Sequence, residues 1–430
     1  MILKRNNFRR NFCDRNKIIK YISIALFFTL TPAIGCLNPI KINAQTDAKL
    51  NKNIIENTAK ILESKNDNKQ NINNNINNIE KQNNNNLDEK EKEKEEILKN
   101  IKEKKDFNIK VLKNNKEEKM SFLEYVRGCV ASEIGSSAPE EAKKAQKALC
   151  ITYAIKNRGL NGVFPLNNSF QTYIPKDERI KRYGEEKEKE LEKLITIDSL
   201  EVLLYGDEIC ETLYDTCVGG CTRPNEDVFH KGDKKYHINS FPGVKSPEQD
   251  LFNKISSIKD ENKKKEFITN ELKVNPSMIG VLLSYLQKNE EKTFELEINN
   301  AFNTVKQFYK DATMPTDNTK IIENITYDRF GYVEKIKIFG VEISGEFCRR
   351  NFKLSSAQFK TEIKDTKIIF KCLGSGHGCG LSQVGAVVKA IVEKKNCLEI
   401  LKHYFADEKN QNKISLKSLK DVNPKLLFKN

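Results

Sequence analysis

The apolar positions of this chain fall into helical and strand rhythms, and one helical stripe carries a carboxylate. Phe122, Val126, Cys129 and Glu133 recur at i, i+4, i+7 and i+11, one face of a helix in a folded region that opens near Met120. Burial of that face disfavours the charged carboxylate and raises its pKa, the condition for donating a proton near neutrality. The competing reading puts Glu133 past the helix end, at the Ile134–Gly135 break, where it is simply solvated. Next, Ser137-Ala138-Pro139-Glu140-Glu141 has the make-up of a helix start, with proline early and acids in the first turn. That helix runs to Arg158, where Gly159 can end it. Ala142, Ala145 and Leu149 give it a small-residue packing face, and Lys143, Lys144 and Lys147 lie largely off that face, as a solvated row.

Residues 252–311 read as amphipathic helix, with Leu272, Met278, Ile279, Leu282, Leu283 and Leu286 on the apolar side. Asn324–Ile343 changes to strand character, with Val333, Ile336 and Ile338 before Gly340 and Val341 and Ile343 after it, a hairpin pattern. A β-type run at Thr366–Phe370 precedes a loop in which glycines at 374, 376, 378 and 380 surround His377. Such a loop can take left-handed turns. Val384, Val387, Val388 and Ile391 then resume a helix, with Ser382 available as its N-cap. Cys397–Tyr404 makes a last short helix in which His403 packs or caps, and residues 411–430 read as a tail. The mixture of separate helices and short antiparallel strands predicts an α+β domain over residues 119–410, with a helical elaboration.

Composition changes the picture at the amino end. Residues 1–20 hold Lys4, Arg5, Arg9, Arg10, Arg15, Lys17 and Lys20 ahead of an uncharged run from Tyr21 to Ile34, the pattern of an export signal. Pro32 and the shortness of the run suit a cleavable signal, Ala33-Ile34-Gly35-Cys36 could be a lipoprotein cleavage box, and an uncleaved anchor stays open, so residues 1–44 are read as signal peptide or membrane anchor. Residues 45–118, rich in Asn, Lys and Glu, read as a disordered tether, the rival being a short coiled coil over Leu87–Leu112. The chain is therefore expected outside the cytoplasm, tethered to the outer face of the membrane. Its net charge of +14 comes from 74 basic residues interleaved with 60 acidic ones. That balance and export argue against a nucleic-acid partner, while a basic excess suits a membrane surface or an anionic wall polymer.

Eleven cysteines raise a separate question. Cys13 and Cys36 lie in the signal, and an odd number remains, so free thiols or metal ligands accompany any disulfide. Cys210, Cys217 and Cys221 form C-x6-C-x3-C, followed by His230 and His237, a set that could hold a structural zinc. A Cys217–Cys221 disulfide, or pairing with Cys348, Cys372 or Cys379, is the alternative. A thiol hydrolase built from Cys379 and His377 is disfavoured, because side chains two residues apart on a Gly-rich loop need not converge.

Four blocks, in order, resemble the stage II sporulation protein D family. Tyr125–Ile134, with Pro139–Ala148 and Thr152-Tyr153-Ala154, looks like its first signature. Tyr205-Gly206-Asp207, Gly219-Gly220-Cys221-Thr222 and Glu226 resemble its central segment, and Ser344-Gly345, Phe347, Arg350 and Leu354-Ser355 the stretch before the final strand. Gly374–Ala386 is similar to its carboxy-terminal signature. The resemblance implies a peptidoglycan lytic transglycosylase of forespore engulfment that favours glycan strands stripped of stem peptides, with helices and strands arranged around a glycan-binding cleft. It implies Glu133 as catalytic acid/base, and His377, Ser382 and Gln383, with Lys144 and Tyr153, as residues that shape the cleft or contact glycan. The loop glycines would let glycan approach the backbone. It also implies partners in a cell-wall amidase and a polytopic membrane protein, and no cofactor for the chemistry. The chain departs from the family pattern at Ile151, where an arginine is usual, and at Ser375 and Val384, where tryptophans often stand. An alternative is therefore a catalytically degenerate glycan-binding or scaffold protein.

Overall fold

The first strand already revises the expected boundaries. In the computed structural model, which describes residues 89–167, 170–229 and 242–429, folded chain begins with helix α1 at 89–102. Ile97 and Ile101 from α1 and Phe107, Ile109 and Val111 from the segment after it are buried in the main core. The tether expected through residue 118 therefore does not include residues 89–118: sparse aliphatics suffice when most of them are buried. Strand β1 (Asn108–Lys113) turns through Asn114 and Asn115, both with positive φ, into β2 (Lys116–Ser121). On its other edge β1 pairs in parallel with β3 (Val163–Pro165).

Between β2 and β3 lie the two expected helices, α2 (Phe122–Glu133) and α3 (Glu140–Arg158). Ser121 caps α2 by accepting from the Glu124 amide, and Gly159 with φ 66° ends α3. The lysines of α3 are a correction: Lys143 and Lys147 are 5% and 2% exposed, since their stems lie along the core while their heads reach the Ser136 and Ser199 carbonyls. Helices α4 (Lys176–Tyr183) and α5 (Glu185–Leu194) follow, then β4 (Glu201–Tyr205), β5 (Glu208–Ile209) and β6 (Tyr214–Asp215). Helices α6 (Glu248–Ser257), α7 (Glu261–Glu266) and α8 (Pro276–Leu286) supply the helical elaboration.

Residues 292–372 build a second core. The stretch read as helix ends in a strand, β7 (Lys292–Glu297), before α9 (Ile298–Phe308). The expected hairpin is a three-stranded meander, β8 (Ile322–Tyr327), β9 (Val333–Ile338) and β10 (Val341–Ser344), with Phe339 and Gly340 both at positive φ in the tight turn. After α10 (Gly345–Asn351), β11 (Phe359–Lys364) and β12 (Lys367–Cys372) pair antiparallel and β7 completes that sheet. Val305, Ile336, Ile338, Phe339, Ile368 and Phe370 fill the space between the elements.

The chain then returns to the first core through the Gly-rich loop, β13 (Leu381–Ser382), α11 (Gln383–Ile391) and α12 (Cys397–Phe405). The expected tail instead carries β14 (Ile414–Ser418), antiparallel to β4, and buries Leu419, Val422 and Leu427. The fold is α+β, as the pattern of elements predicts, with several small sheets and helices packed around them. Among the described residues no helix is long and apolar enough to cross a membrane; the expected export signal lies outside them.

Candidate functional site

Glu133 is the last residue of α2 and Gly135, with φ 86°, turns the chain away. Its carboxylate is half-buried and accepts from the Thr172 amide at 3.0 Å and the Thr172 hydroxyl at 2.6 Å. Gly128 makes that contact possible. A Cβ there would lie 2.2 Å from the Tyr173 ring and 2.9 Å from the Ile174 carbonyl, so only glycine lets this segment cross α2 closely enough to reach Glu133. The segment is then tied down. Tyr173 donates to Glu124, and the fully buried Arg179 binds Glu124, Glu188 and the Ile174 carbonyl with bonds of 2.7–2.9 Å.

The side chains of Tyr214 and Gln383 also face the Glu133 carboxylate. Tyr214 is oriented by Gln171, which donates to its hydroxyl at 3.1 Å and accepts from Tyr125 at 2.6 Å. Gln383 donates to Gln146 of α3 at 3.3 Å. Tyr153, further along α3, is half-buried against Phe170, with ring centroids 5.1 Å apart, and feels the Glu133 charge. Burial raises the Glu133 pKa above the usual carboxylate value, and the hydrogen bonds from Thr172, with the nearby polar side chains of Tyr214 and Gln383, oppose but do not cancel it. A half-buried carboxyl of this kind can give up a proton and take one back.

The Gly-rich loop has a different organising residue. The Asp215 carboxylate accepts from the amides of His377 at 2.9 Å, Gly378 at 2.5 Å and Cys379 at 3.1 Å, and lies 3.1 Å from His377 Nδ1. A Cβ on Gly376 would lie 1.8 Å from Asp215, and one on Gly380 2.1 Å from the Leu213 carbonyl. Those glycines thus accommodate this chain's own atoms, correcting the expectation that they admit glycan. Arg223 ties the loop to the second core, donating to the His377 carbonyl at 2.9–3.0 Å, pairing with Glu346 and lying over the Tyr332 ring. The His377 ring meets Phe229 edge-on at 5.2 Å.

Of the expected cleft residues, Gln383 thus faces Glu133 and Tyr153 is near enough to feel its charge, and the other three are engaged elsewhere. Ser382 is fully buried, caps α11 through the Gly385 amide and donates to the buried Glu248 at 2.5 Å, so it cannot touch a glycan. Lys144 is paired with Glu140 and Glu141 at 2.7 Å. His377 belongs to the Asp215 cradle. Thr172, Tyr214, Gln146, Asp215, Arg223 and Glu248 were not singled out from the sequence. Only Gln146, inside the first signature, carried any signal. Ile151 and Val384 are both wholly buried, so these departures are interior packing positions. A cavity lies against α3, α5 and α8, and its lining does not include Glu133.

The zinc expectation is not met by the described residues. The nine cysteines there are free thiols, and no three Cys, His, Asp or Glu side chains gather as a metal site. Cys210 turns to the Glu211 carbonyl and Cys217 to that of Lys288, and burial pushes both thiols up to about 12, so each persists as a neutral thiol. His230 and His237 lie outside the described residues. Cys379 likewise is buried with its thiol raised, and its sulfur faces the Pro224 and His377 carbonyls rather than the imidazole, which removes the thiol-hydrolase reading.

Residues 112–205, which span α2, α3 and the Thr172 segment, match the SpoIID family, described as stage II sporulation protein. These matches support assigning the chain to the stage II sporulation protein D family. It is 25% identical over 300 residues to stage II sporulation protein D of Bacillus subtilis (strain 168), covering 67% of this chain and 74% of that protein. Identity to the Bacillus amyloliquefaciens protein of the same name is 24% over 300 residues, covering 67% and 73%. The family supports a role in sporulation.

Proposed function

We propose that the chain is a lytic transglycosylase that cleaves peptidoglycan glycan strands, preferentially peptide-free ones, during engulfment. The observation that supports this most directly is the Glu133 carboxyl, half-buried, raised in pKa and held by Thr172 at the end of α2. Its hydrogen-bond partner is Thr172, and the side chains of Tyr214 and Gln383 face it; none of these is a second carboxylate. Hydrolysis by the usual routes uses a pair of carboxylates. A lytic cleavage uses one. Glu133 protonates the bridging glycosidic oxygen as the bond breaks, and the resulting carboxylate then takes the proton of the muramic C6 hydroxyl as that oxygen closes the 1,6-anhydro ring. The proton lost in the first step is regained in the second, and no cofactor enters.

The setting consistent with this reading is the outer face of the cytoplasmic membrane, with a cell-wall amidase supplying stripped strands and a polytopic membrane protein as partner. The test is incubation of the purified full chain with peptide-free glycan strands and mass spectrometry of the products. Anhydro-muramyl ends are expected, and are absent with Glu133→Gln. Reducing ends, or intact strands, would overturn the proposal.

A further inference from the structure

A cavity of about 880 Å³, whose lining does not include Glu133, lies between the start of α3, α5 and α8. Its apolar wall is Leu194, Met278 and Val281 with Ala138 and Pro139, and its polar wall holds four lysines, Lys143, Lys144, Lys187 and Lys193, against two acids, Glu140 and Glu190. Two of the lysines are largely satisfied: Lys144 by Glu140 and Glu141, and Lys187 by Glu190 at 2.8 Å. The other two are not. Lys193 is exposed and has no ion-pair partner among the described residues. Lys143 is 5% exposed, yet its ammonium makes one hydrogen bond, to the Ser136 carbonyl at 3.1 Å, and stands 4.0 Å from Glu190.

An ammonium has three donors and is costly to bury with some of them unused. Burial accordingly pulls the Lys143 pKa below the usual lysine value. The α3 N-terminus opens onto the same space, and its N-cap, Pro139, provides no side-chain acceptor for the first-turn amides. An anion placed there meets positive charge from Lys143, Lys193 and the helix end, while the apolar wall can hold the body that carries it.

We infer that this cavity is an anion-binding subsite, taking a carboxylate or phosphate group borne on a sugar or polyol, as in an anionic wall polymer, separately from the Glu133 chemistry. The basic excess of the chain is then locally used rather than merely spread over its surface.

Binding is measured by calorimetry with the full chain and three probes: a peptide-free muramyl oligosaccharide for the carboxylate, a glycerol phosphate oligomer for the phosphate, and a neutral N-acetylglucosamine oligomer. At least one anionic probe should bind tenfold more tightly than the neutral one, a difference of about 1.4 kcal/mol, and weaken with added salt. Lys143→Met should lower that affinity at least tenfold without changing affinity for the neutral oligomer. Because Lys143 is interior, Lys193→Gln on the exposed side of α5 provides an independent variant, expected to weaken binding severalfold with the melting temperature unchanged. Equal affinity for charged and neutral probes, or anionic binding unaffected by Lys193→Gln and by a folded Lys143→Met, would overturn the inference whatever the outcome of the cleavage assay.

Discussion

Asp215 organises the loop that carries His377: one buried carboxylate accepts three successive backbone amides and stands 3.1 Å from the imidazole Nδ1. Hydrogen bonds to a charged acceptor contribute about 1.5–3 kcal/mol each, and not additively. Asp215→Asn presents one acceptor oxygen and turns an amide NH2 toward the remaining N–H groups. It should destabilise the chain by about 2 kcal/mol in urea denaturation. Gly376→Ala, whose Cβ would overlap Asp215, should cost at least as much. If both variants matched the wild type, the carboxylate would have no such role.

Glu133→Gln should lower cleavage by about 10²–10⁴-fold, the usual contribution of an acid/base, while circular dichroism stays unchanged. The protonated acid persists to higher pH than an ordinary glutamic acid allows, because burial raises its pKa. The rate should therefore fall as pH rises through that elevated value. Thr172→Val removes the hydroxyl donor that favours the carboxylate, so the alkaline limb of the pH–rate profile should move to higher pH. A shift to lower pH would contradict the assigned cause.

Glu248 predicts a pH dependence of stability. It is wholly buried, accepts from Ser382, Ser246 and the Val218 amide, and its pKa is raised because burial outweighs those bonds. Below the unfolded carboxylate pKa the group is protonated in both states and contributes no penalty. Between that value and the raised folded value the native state holds more protons, so stability falls as pH rises, and above the folded value the full penalty persists. Glu248→Gln should remove this component: the stability of wild type relative to variant, from urea titrations across that range, should decline with pH. A constant difference would refute it.

A fragment of residues 119–410 should fail to fold where 89–429 succeeds. The shorter piece lacks Ile97, Ile101, Phe107, Ile109 and Val111 at one end and β14 with Leu419, Val422 and Leu427 at the other. Each buried apolar side chain contributes about 1.5–3 kcal/mol, so their loss exceeds the roughly 5–15 kcal/mol by which a domain is stable. Cooperative melting of 119–410 would show the outer elements to be dispensable.

Local sequence determined α2 and α3, the Ser382 cap, the turn at Gly340 and the α+β class, because each is set by residues within a few positions of one another. The same local pattern placed a carboxylate at the end of an apolar helix face, and the family resemblance then singled out Glu133. Tertiary structure decided the rest. Thr172 reaches Glu133 from 39 residues away, Asp215 reaches His377 from 162 and Glu248 reaches Ser382 from 134. No spacing rule joins such pairs, since they depend on how α2, β6 and α6 pack against the returning chain. The same reason underlies the elements misjudged at both ends. Residues 89–113 and 414–427 have few apolar side chains, and only the packed core shows that most of them are buried, with Leu98, Leu112, Leu416 and Leu426 partly so.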